Sequence, residues 1–192
     1  MGKADASGER FQFRGVNHVA LVARDMAETV DFYENVLDMP LVMAVPIPGG
    51  GQHFFFDCGN GATIAFFWFK GAPPEAPGIA SQHRDRTKGA KTAHGSMNHL
   101  AVDIAPENFE PYLERLRSRG VECSVINHND PPYENSIEFT EYSWIRSMYF
   151  FDPNGIKLEF AAVLREFNEN DVLMAPFDAD GNPVDRRELV KN

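Results

Sequence analysis

The chain has 192 residues, of which 43% are hydrophobic and 16 are Phe, so it can form one globular unit with a substantial core. Its 18 basic and 28 acidic residues give a formal net charge of −10, which argues against a nucleic-acid-binding surface. No apolar run reaches the roughly 18 residues of a membrane span, so we expect no membrane partner.

Residues 1–14 read as a polar leader without an apolar signal core, so export is not expected. The two cysteines, Cys58 and Cys123, match no zinc-binding spacing and suit a reducing compartment. Sequence alone leaves a disulfide between them open. We therefore expect a cytoplasmic protein.

Two similar segments open two similar halves of the chain. Both 16–22 (VNHVALV) and 97–104 (MNHLAVDI) alternate apolar residues in the manner of a strand. Each places an Asn-His pair at the same phase, which puts His18 and His99 81 residues apart (99 − 18 = 81). An internal repeat of this kind determines the fold, so the segments that follow the two openings should also correspond.

A helix is predicted after each of these strands. A capping turn at 25–28 precedes a helix over about 25–37, and a second helix begins near Asn108 and ends at Gly120. Pro111 fits there because proline is tolerated in the first turn. The apolar faces would carry Val30, Tyr33 and Leu37 in the first helix, and Phe109, Leu113 and Leu116 in the second.

The two halves also end in the same way, with a predicted hairpin over 53–69 in the first half and over 144–162 in the second. An extended stretch precedes each hairpin, at 41–45 and at 121–126, and the Pro- and Gly-rich run 46–51 should break regular structure. When Gly61 is aligned on Gly155, Ala65 stands opposite Glu159.

The predicted fold is therefore of the α+β class, with two βαβββ modules paired into a curved mixed sheet around a central cleft. The first strands would meet near the middle of that sheet. The expected domain covers 15–163, with module one at 15–69, a linker at 70–95 and module two at 96–163. The linker is long, so it is either mobile or folded over a site. No chemistry is assigned to the tail, 164–192.

His18, His99 and Glu159 are the candidate metal ligands. If a pseudo-twofold axis relates the modules, two imidazoles and one carboxylate converge from three strands. A 2-His-1-carboxylate set with open positions suits non-haem Fe(II) and O2 chemistry. Ala65 leaves the fourth position without a ligand, which gives room for a chelating substrate. Each residue taken alone would more often be an ordinary structural residue.

These motifs resemble the vicinal oxygen chelate superfamily, which includes glyoxalase I, extradiol ring-cleaving dioxygenases, epimerases and fosfomycin and bleomycin resistance proteins. The two Asn-His openings and the closing Asp152-Pro153-Asn154-Gly155 followed by Glu159 carry the resemblance over about 15–163. It implies paired βαβββ modules with a divalent metal in the central cleft. It also implies a soluble homodimer that acts on a small molecule.

The ligand pattern is closest to that of the extradiol dioxygenases, because Ala65 breaks the pattern of the glyoxalase-like members. The resemblance implies Fe(II), with Mn(II) as an alternative, and gives Tyr149 a catalytic place beside the substrate oxygens. A glyoxalase-like enzyme would use Ni, Zn or Co instead. The family also has a histidine shortly before this tyrosine, where the chain has Thr140, Glu141 and Tyr142.

An acid–base histidine upstream of the second ligand strand is a further family feature, and His83 or His94 could serve. His128 and His53 rank lower. The leading prediction is a metal-dependent dioxygenase that cleaves a catechol-like aromatic diol with O2. The alternatives are a glyoxalase-like lyase or epimerase-like isomerase, and a metal-free protein that sequesters an aromatic drug or metabolite.

Overall fold

The structure is a computed structural model that describes residues 12–172 and 174–185. The first eleven residues of the expected leader, and 173 and 186–192 of the tail, lie outside the described residues. The described part contains eight strands and two α-helices in two successive units of the same order: β1 (His18–Val22), α1 (Met26–Asp31), β2 (Leu41–Ile47), β3 (Gly51–Gly59), β4 (Ala62–Trp68), then β5 (Leu100–Asp103), α2 (Phe109–Ser118), β6 (Ser124–Asn129), β7 (Ser143–Phe151) and β8 (Lys157–Val163).

Both helices form where their caps predict. The Asp25 carboxylate accepts a hydrogen bond from the Glu28 amide at 3.0 Å and starts α1, which continues as a π-helical turn over Phe32–Val36. Gly120 takes a φ of 81° after α2, a conformation that glycine adopts without strain. The predicted apolar faces are the buried ones, since Tyr33 and Phe109 are both fully enclosed.

Each unit forms its own four-stranded sheet, in the orders β1-β4-β3-β2 and β5-β8-β7-β6. The first strand of each unit pairs in parallel with the last, and the other pairs are antiparallel. The registers correspond, because Ala65 lies between Ala20 and Phe55 while Glu159 lies between Ala101 and Tyr149. The predicted α+β class and the two βαβββ modules are therefore confirmed.

The two sheets are nevertheless separate within one chain. β1 and β5 are the edge strands of their sheets, and no described strand pairs with the outer edge of either. The expected meeting of the first strands in one curved sheet is thus not seen in a single chain. Two strand edges with unpaired backbone groups remain available instead.

The modules pack against each other through their helices and through the β7–β8 turn. The guanidinium groups of Arg115 and Arg119 donate to the Asp38 carboxylate at 3.1 and 2.9 Å. The Asn154 side chain lies in the opposite module, where it accepts from the Arg24 amide at 2.8 Å and donates to the Thr29 hydroxyl at 3.1 Å. Buried residues of both modules form one hydrophobic core.

Two local expectations differ from the structure. β2 runs through Pro46 to Ile47, so the predicted break is confined to the turn at 48–50; β2 is an edge strand, where proline is tolerated. The sixth strand begins at Ser124 rather than at 121, because the Val121 amide still bonds to the Leu116 carbonyl of the helix end at 3.0 Å.

The linker is folded against module two, which decides between the two expectations for it. Its Gln82 is 5% exposed, and the Arg84 guanidinium donates to the Asp152 carbonyl at 2.9 Å. Cys58 and Cys123 are free thiols, not a disulfide. Within the described residues, no helix has the length and apolarity needed to cross a membrane.

Candidate functional site

The structure brings His99 and Glu159 into direct contact in module two. His99 stands immediately before β5, and Glu159 lies on β8, the strand beside it. The His99 Nε2 atom is 2.9 Å from Glu159 Oε2, and the Glu159 side chain is 5% exposed against 35% for His99. A buried carboxylate therefore meets a partly accessible imidazole at the strand edge.

The second oxygen of Glu159 is also bonded. The Ser147 hydroxyl, on β7, donates to Glu159 Oε1 at 2.5 Å. Burial alone would raise the pKa of Glu159, but the hydrogen bonds from His99 and Ser147 outweigh it and hold the pKa below its usual value. Glu159 is thus kept as a carboxylate, the form that binds a cation.

Tyr149 lies over this pair on the same face of the sheet. Its ring meets the His99 ring edge-on with centroids 5.7 Å apart. Burial raises the pKa of Tyr149, and the negative charge of Glu159 adds to the effect although the hydrogen bond with Ser147 opposes it. The phenol is therefore held in its protonated form as a hydrogen-bond donor.

His128, which the sequence ranked below His83 and His94, also lies in this cluster. Its Nε2 atom lies 3.2 Å from the Tyr149 hydroxyl, across the sheet from β6. The sequence feature that could have indicated this contact is the position of His128 in the polar stretch just after the predicted strand 121–126. Because that strand begins three residues later, His128 falls within it and reaches the tyrosine.

The orientation of His99 is set from its other ring nitrogen. His99 Nδ1 lies 2.8 Å from the Asn98 side-chain oxygen, which leaves Nε2 for Glu159 or a cation. The Asn98 oxygen also accepts from Gln82, and its amide donates to the Ala90 carbonyl at 2.8 Å. The folded linker therefore fixes the asparagine that positions the imidazole.

Module one repeats the first half of this arrangement and not the second. His18 Nδ1 lies 2.8 Å from the Asn17 side-chain oxygen, as in module two. Its ring, however, meets Phe55 edge-on at 5.8 Å, beside an aromatic wall formed by His53, Phe55, Phe67 and Phe69. Ala65 is fully buried at the position of Glu159.

One chain consequently joins two of the three predicted ligands. No group of three or more His, Cys, Asp or Glu side chains able to hold a metal occurs in 12–172 and 174–185. The physical reason is the separation of the sheets, which leaves His18 on one free edge and His99 on another. The imidazole Nε2 and the buried carboxylate fit a divalent cation, and a third donor would have to come from elsewhere.

The two predicted acid–base histidines differ in their surroundings. His83 is half-buried in the linker and lines a cavity that Tyr149 and Lys157 also line. His94 is exposed in the turn before β5 and lines neither that cavity nor the neighbouring cavity beside His99. Neither histidine is hydrogen-bonded to Tyr149, Glu159 or His99 within the described residues.

Similar proteins share this fold and, in part, this sequence. The chain is 23% identical over 146 residues to "Glutathione transferase FosA" of Serratia marcescens, an alignment covering 76% of this chain and 79% of the relative. It is 26% identical to "Putative ring-cleaving dioxygenase MhqA" of Bacillus subtilis over 80% of this chain, but it spans 41% of that relative's length.

A solved structure of the fosfomycin resistance protein FosX of Listeria monocytogenes, complexed with Mn(II) and sulfate, superposes with a TM-score of 0.50. The match covers 80% of this chain and 95% of the other at 21% identity, so it bears on the fold alone. The model of one protein family matches residues 15–160. The chain is therefore a member of the Glyoxalase/Bleomycin resistance protein/Dioxygenase superfamily.

Proposed function

We propose that the protein is a metal-dependent enzyme whose divalent cation is held by His18, His99 and Glu159. The observation that carries the proposal is the buried Glu159 carboxylate, 2.9 Å from the Nε2 atom of a histidine oriented through its other nitrogen. A buried carboxylate is costly unless it is paired or bound to a cation. Fe(II) or Mn(II) bound there would supply a Lewis acid with open positions for a chelating diol and O2.

The third ligand comes, in this proposal, from a second copy of the chain. β1 carries His18 at its start and β5 follows His99, and both strands have an unpaired outer edge. A twofold axis that pairs β1 of one copy with β5 of the other would place His18 beside the opposite His99 and Glu159. The homodimer expected from the family resemblance thus becomes a requirement of the site.

The reaction we propose is extradiol cleavage of a catechol-like diol. Tyr149 lies where its hydroxyl can hydrogen-bond a substrate oxygen, and its raised pKa keeps the phenol protonated. When the diol loses a proton on binding, the Tyr149 oxygen accepts it while the Tyr149 hydroxyl proton passes to His128 Nε2, 3.2 Å away, and the same relay in reverse returns the proton. Glu159 and His99 hold the cation, and Ser147 keeps the carboxylate oriented.

Subunit complementation tests the site. The variants His18→Ala and Glu159→Gln are prepared separately, mixed under conditions of subunit exchange, and analysed for bound Mn(II). Each variant alone should lose the metal. A mixed dimer joins one intact His18 to one intact His99–Glu159 pair, so about one quarter of all sites should recover in a statistical mixture.

Two results would overturn the proposal. If the mixture binds no more metal than the separate variants, although mixed dimers are present, His18 does not complete the opposite site. If the unsubstituted protein binds neither Mn(II) nor Fe(II), the metal-dependent reading fails altogether. Circular dichroism of each variant separates loss of metal from loss of fold.

A second candidate is glutathione transfer, the activity that the name of the Serratia relative states. It is favoured by alignment length, because the chain spans 79% of that relative and 41% of the ring-cleaving one. O2 consumption with a panel of catechols by the Fe(II)-loaded protein supports the dioxygenase. Conjugation of glutathione to fosfomycin by the Mn(II)-loaded protein, without O2 consumption, would replace it with the transferase.

A further inference from the structure

A cavity of about 1190 Å³ opens beside Tyr149, between the folded linker, the end of α2 and the β7–β8 hairpin. Its walls carry more positive than negative groups in a protein whose net charge is −10. The cationic side chains at the walls are Arg84, Arg86, Arg117, Arg119 and Lys157. Among the described residues, three acidic ones line the same cavity: Glu28, Glu122 and Asp152.

The acidic residues do not neutralise these cations. Asp152 is 1% exposed, and its carboxylate accepts from the Ile156 amide at 2.8 Å and from the Asn154 side chain at 3.1 Å. Glu28 is paired with Arg24, outside the cationic set. Arg119 is the one cation of the set with a described carboxylate partner, Asp38. Within the described residues, the other four cations form no ion pair.

One of these unpaired cations lies next to the face that carries Tyr149. The Lys157 ammonium is 4.2 Å from the centre of the Tyr149 ring and donates to the Gln82 side-chain oxygen at 3.0 Å. Arg86, on the linker, lines the same cavity as Lys157. Several cationic side chains that line one cavity without an ion-pair partner can bind an anion through charge-assisted hydrogen bonds.

Resting on the proposed function, we propose that this cavity binds an anionic tail of the substrate, a carboxylate or a phosphate-type group, while the metal cleft holds the reacting oxygens. Arg86 and Arg117 provide the planar donor groups that bind such anions in two-point fashion. Lys157, which lines both this cavity and the one beside His99, joins the two parts of the site.

The position of the cavity also predicts selection among substrates. A neutral aromatic ring would fill the same space but give the cations only the weaker attraction of its π face, without a charged partner. An anionic ring compound would gain charge-assisted hydrogen bonds. The positive potential of the cavity would also attract it, although the protein as a whole carries a negative charge. The substrate class is therefore an aromatic or similarly small molecule with an acidic group remote from its reacting oxygens.

The test uses metal-free protein and ligands that cannot react. The protein is treated with EDTA, the EDTA is removed by gel filtration, and naphthalene-2-carboxylate, 2-naphthyl phosphate and the uncharged naphthalene-2-carboxamide are then titrated calorimetrically. At least one anion should bind about tenfold more tightly than the carboxamide, and Arg86→Gln should abolish that preference. The tighter of the two anions identifies the tail as carboxylate or phosphate.

Lys88→Gln is the matched control, since Lys88 lies on the same short helical turn, carries the same charge and does not line the cavity. It should leave the anion preference unchanged. Equal affinity for charged and uncharged ligands, or equal loss in the two variants, overturns the proposal. Because no metal or turnover is involved, this outcome is separate from failure of the complementation experiment, which tests the metal site alone.

Discussion

The two modules have the same architecture but differ in the side chain that contacts the histidine at the start of the first strand. Both begin with Asn-His, and in both the histidine Nδ1 lies 2.8 Å from the preceding asparagine. In module two the histidine then meets a buried carboxylate. In module one the equivalent histidine meets the edge of a phenylalanine ring. The positions that have diverged are therefore not the ones that define the strands.

The strand registers give the equivalent residues one by one. Since Ala65 corresponds to Glu159, Phe55 corresponds to Tyr149 and His53 to Ser147. Tyr149 is thus matched by the aromatic ring of Phe55, and Ser147 by a histidine. Among the described residues His53 Nε2 is buried and has no hydrogen-bond partner, whereas Ser147 at the equivalent position donates to Glu159. The missing carboxylate at position 65 accounts for that orphan.

This difference shows how a duplicated scaffold can divide the work of one site. Module two supplies a polar set that holds a cation and moves a proton. Module one supplies one histidine and an aromatic wall. Because the sheets do not join in one chain, the two contributions meet only if another copy brings its edge to the first.

The largest effect is expected from Glu159→Gln, which makes module two resemble module one at the key position. The amide keeps the shape but loses the charge, so Mn(II) affinity should fall by more than the roughly 10- to 100-fold that loss of a supporting residue costs. Isothermal titration of Mn(II) measures it. Glu114→Gln, an exposed helix residue, is the control. Unchanged affinity would remove Glu159 from the ligand set.

The next effect is expected from Ser147→Ala, which removes the hydroxyl that donates to Glu159 Oε1. The carboxylate loses its orientation but not its charge. Mn(II) affinity should therefore fall by about 10- to 100-fold, less than for Glu159→Gln. The same titration gives the value. An affinity equal to that of the unsubstituted protein would make Ser147 a packing residue only.

The sequence predicted what depends on periodicity and repeats. The two Asn-His openings, the helices with Tyr33 and Phe109 on their inner faces, and the correspondence of Ala65 with Glu159 follow from local pattern. They agree with the fold because the β registers preserve the spacing of the repeat. The pairing of His99 with Glu159 was reached in the same way, although the completed three-ligand site stays a prediction.

What could not be predicted depends on contacts between distant segments. Nothing local indicates that Arg115 and Arg119, at the end of α2, bind the Asp38 carboxylate of module one. The contact between His128 and Tyr149 depends on where β6 begins, and a shift of three residues was enough to hide it. The basic cavity requires the linker to fold over module two, which composition alone does not determine.

A smaller effect distinguishes the two asparagines. Asn98 is bonded to Gln82 and to the Ala90 carbonyl, whereas the side chain of Asn17 has no described contact with the linker. Asn98→Ala should raise amide hydrogen exchange across 82–90 by about tenfold, the effect of losing about one hydrogen bond. Asn17→Ala should leave exchange in that segment unchanged. Equal exchange in both variants would mean that the linker is held by Arg84 and Gln82 without help from Asn98.

The smallest effect concerns the orphan nitrogen of module one. Burial lowers the pKa of His53 from its usual 6.5, and the nearby charge of His18 lowers it further. Below about pH 6.5 the unfolded chain therefore binds a proton that the folded chain resists. The contribution of this histidine to stability is complete above that pH and is lost as the pH falls toward the lowered value.

His53→Phe removes the group whose proton binding differs between the unfolded and folded chains. It keeps a flat ring between Phe55 and Phe67, the two neighbours in the aromatic wall. In urea unfolding of metal-free protein, the decrease in unfolding free energy between pH 7.5 and pH 5 should therefore be smaller in the variant. His94→Gln, in the exposed linker, should keep the decrease of the unsubstituted protein. If His53→Phe shows the same decrease as well, the unpaired nitrogen has found a partner in solution. Module one would then have a polar contact at His53, within the aromatic wall. The difference between a polar module two and an aromatic module one would be smaller than the strand registers indicate.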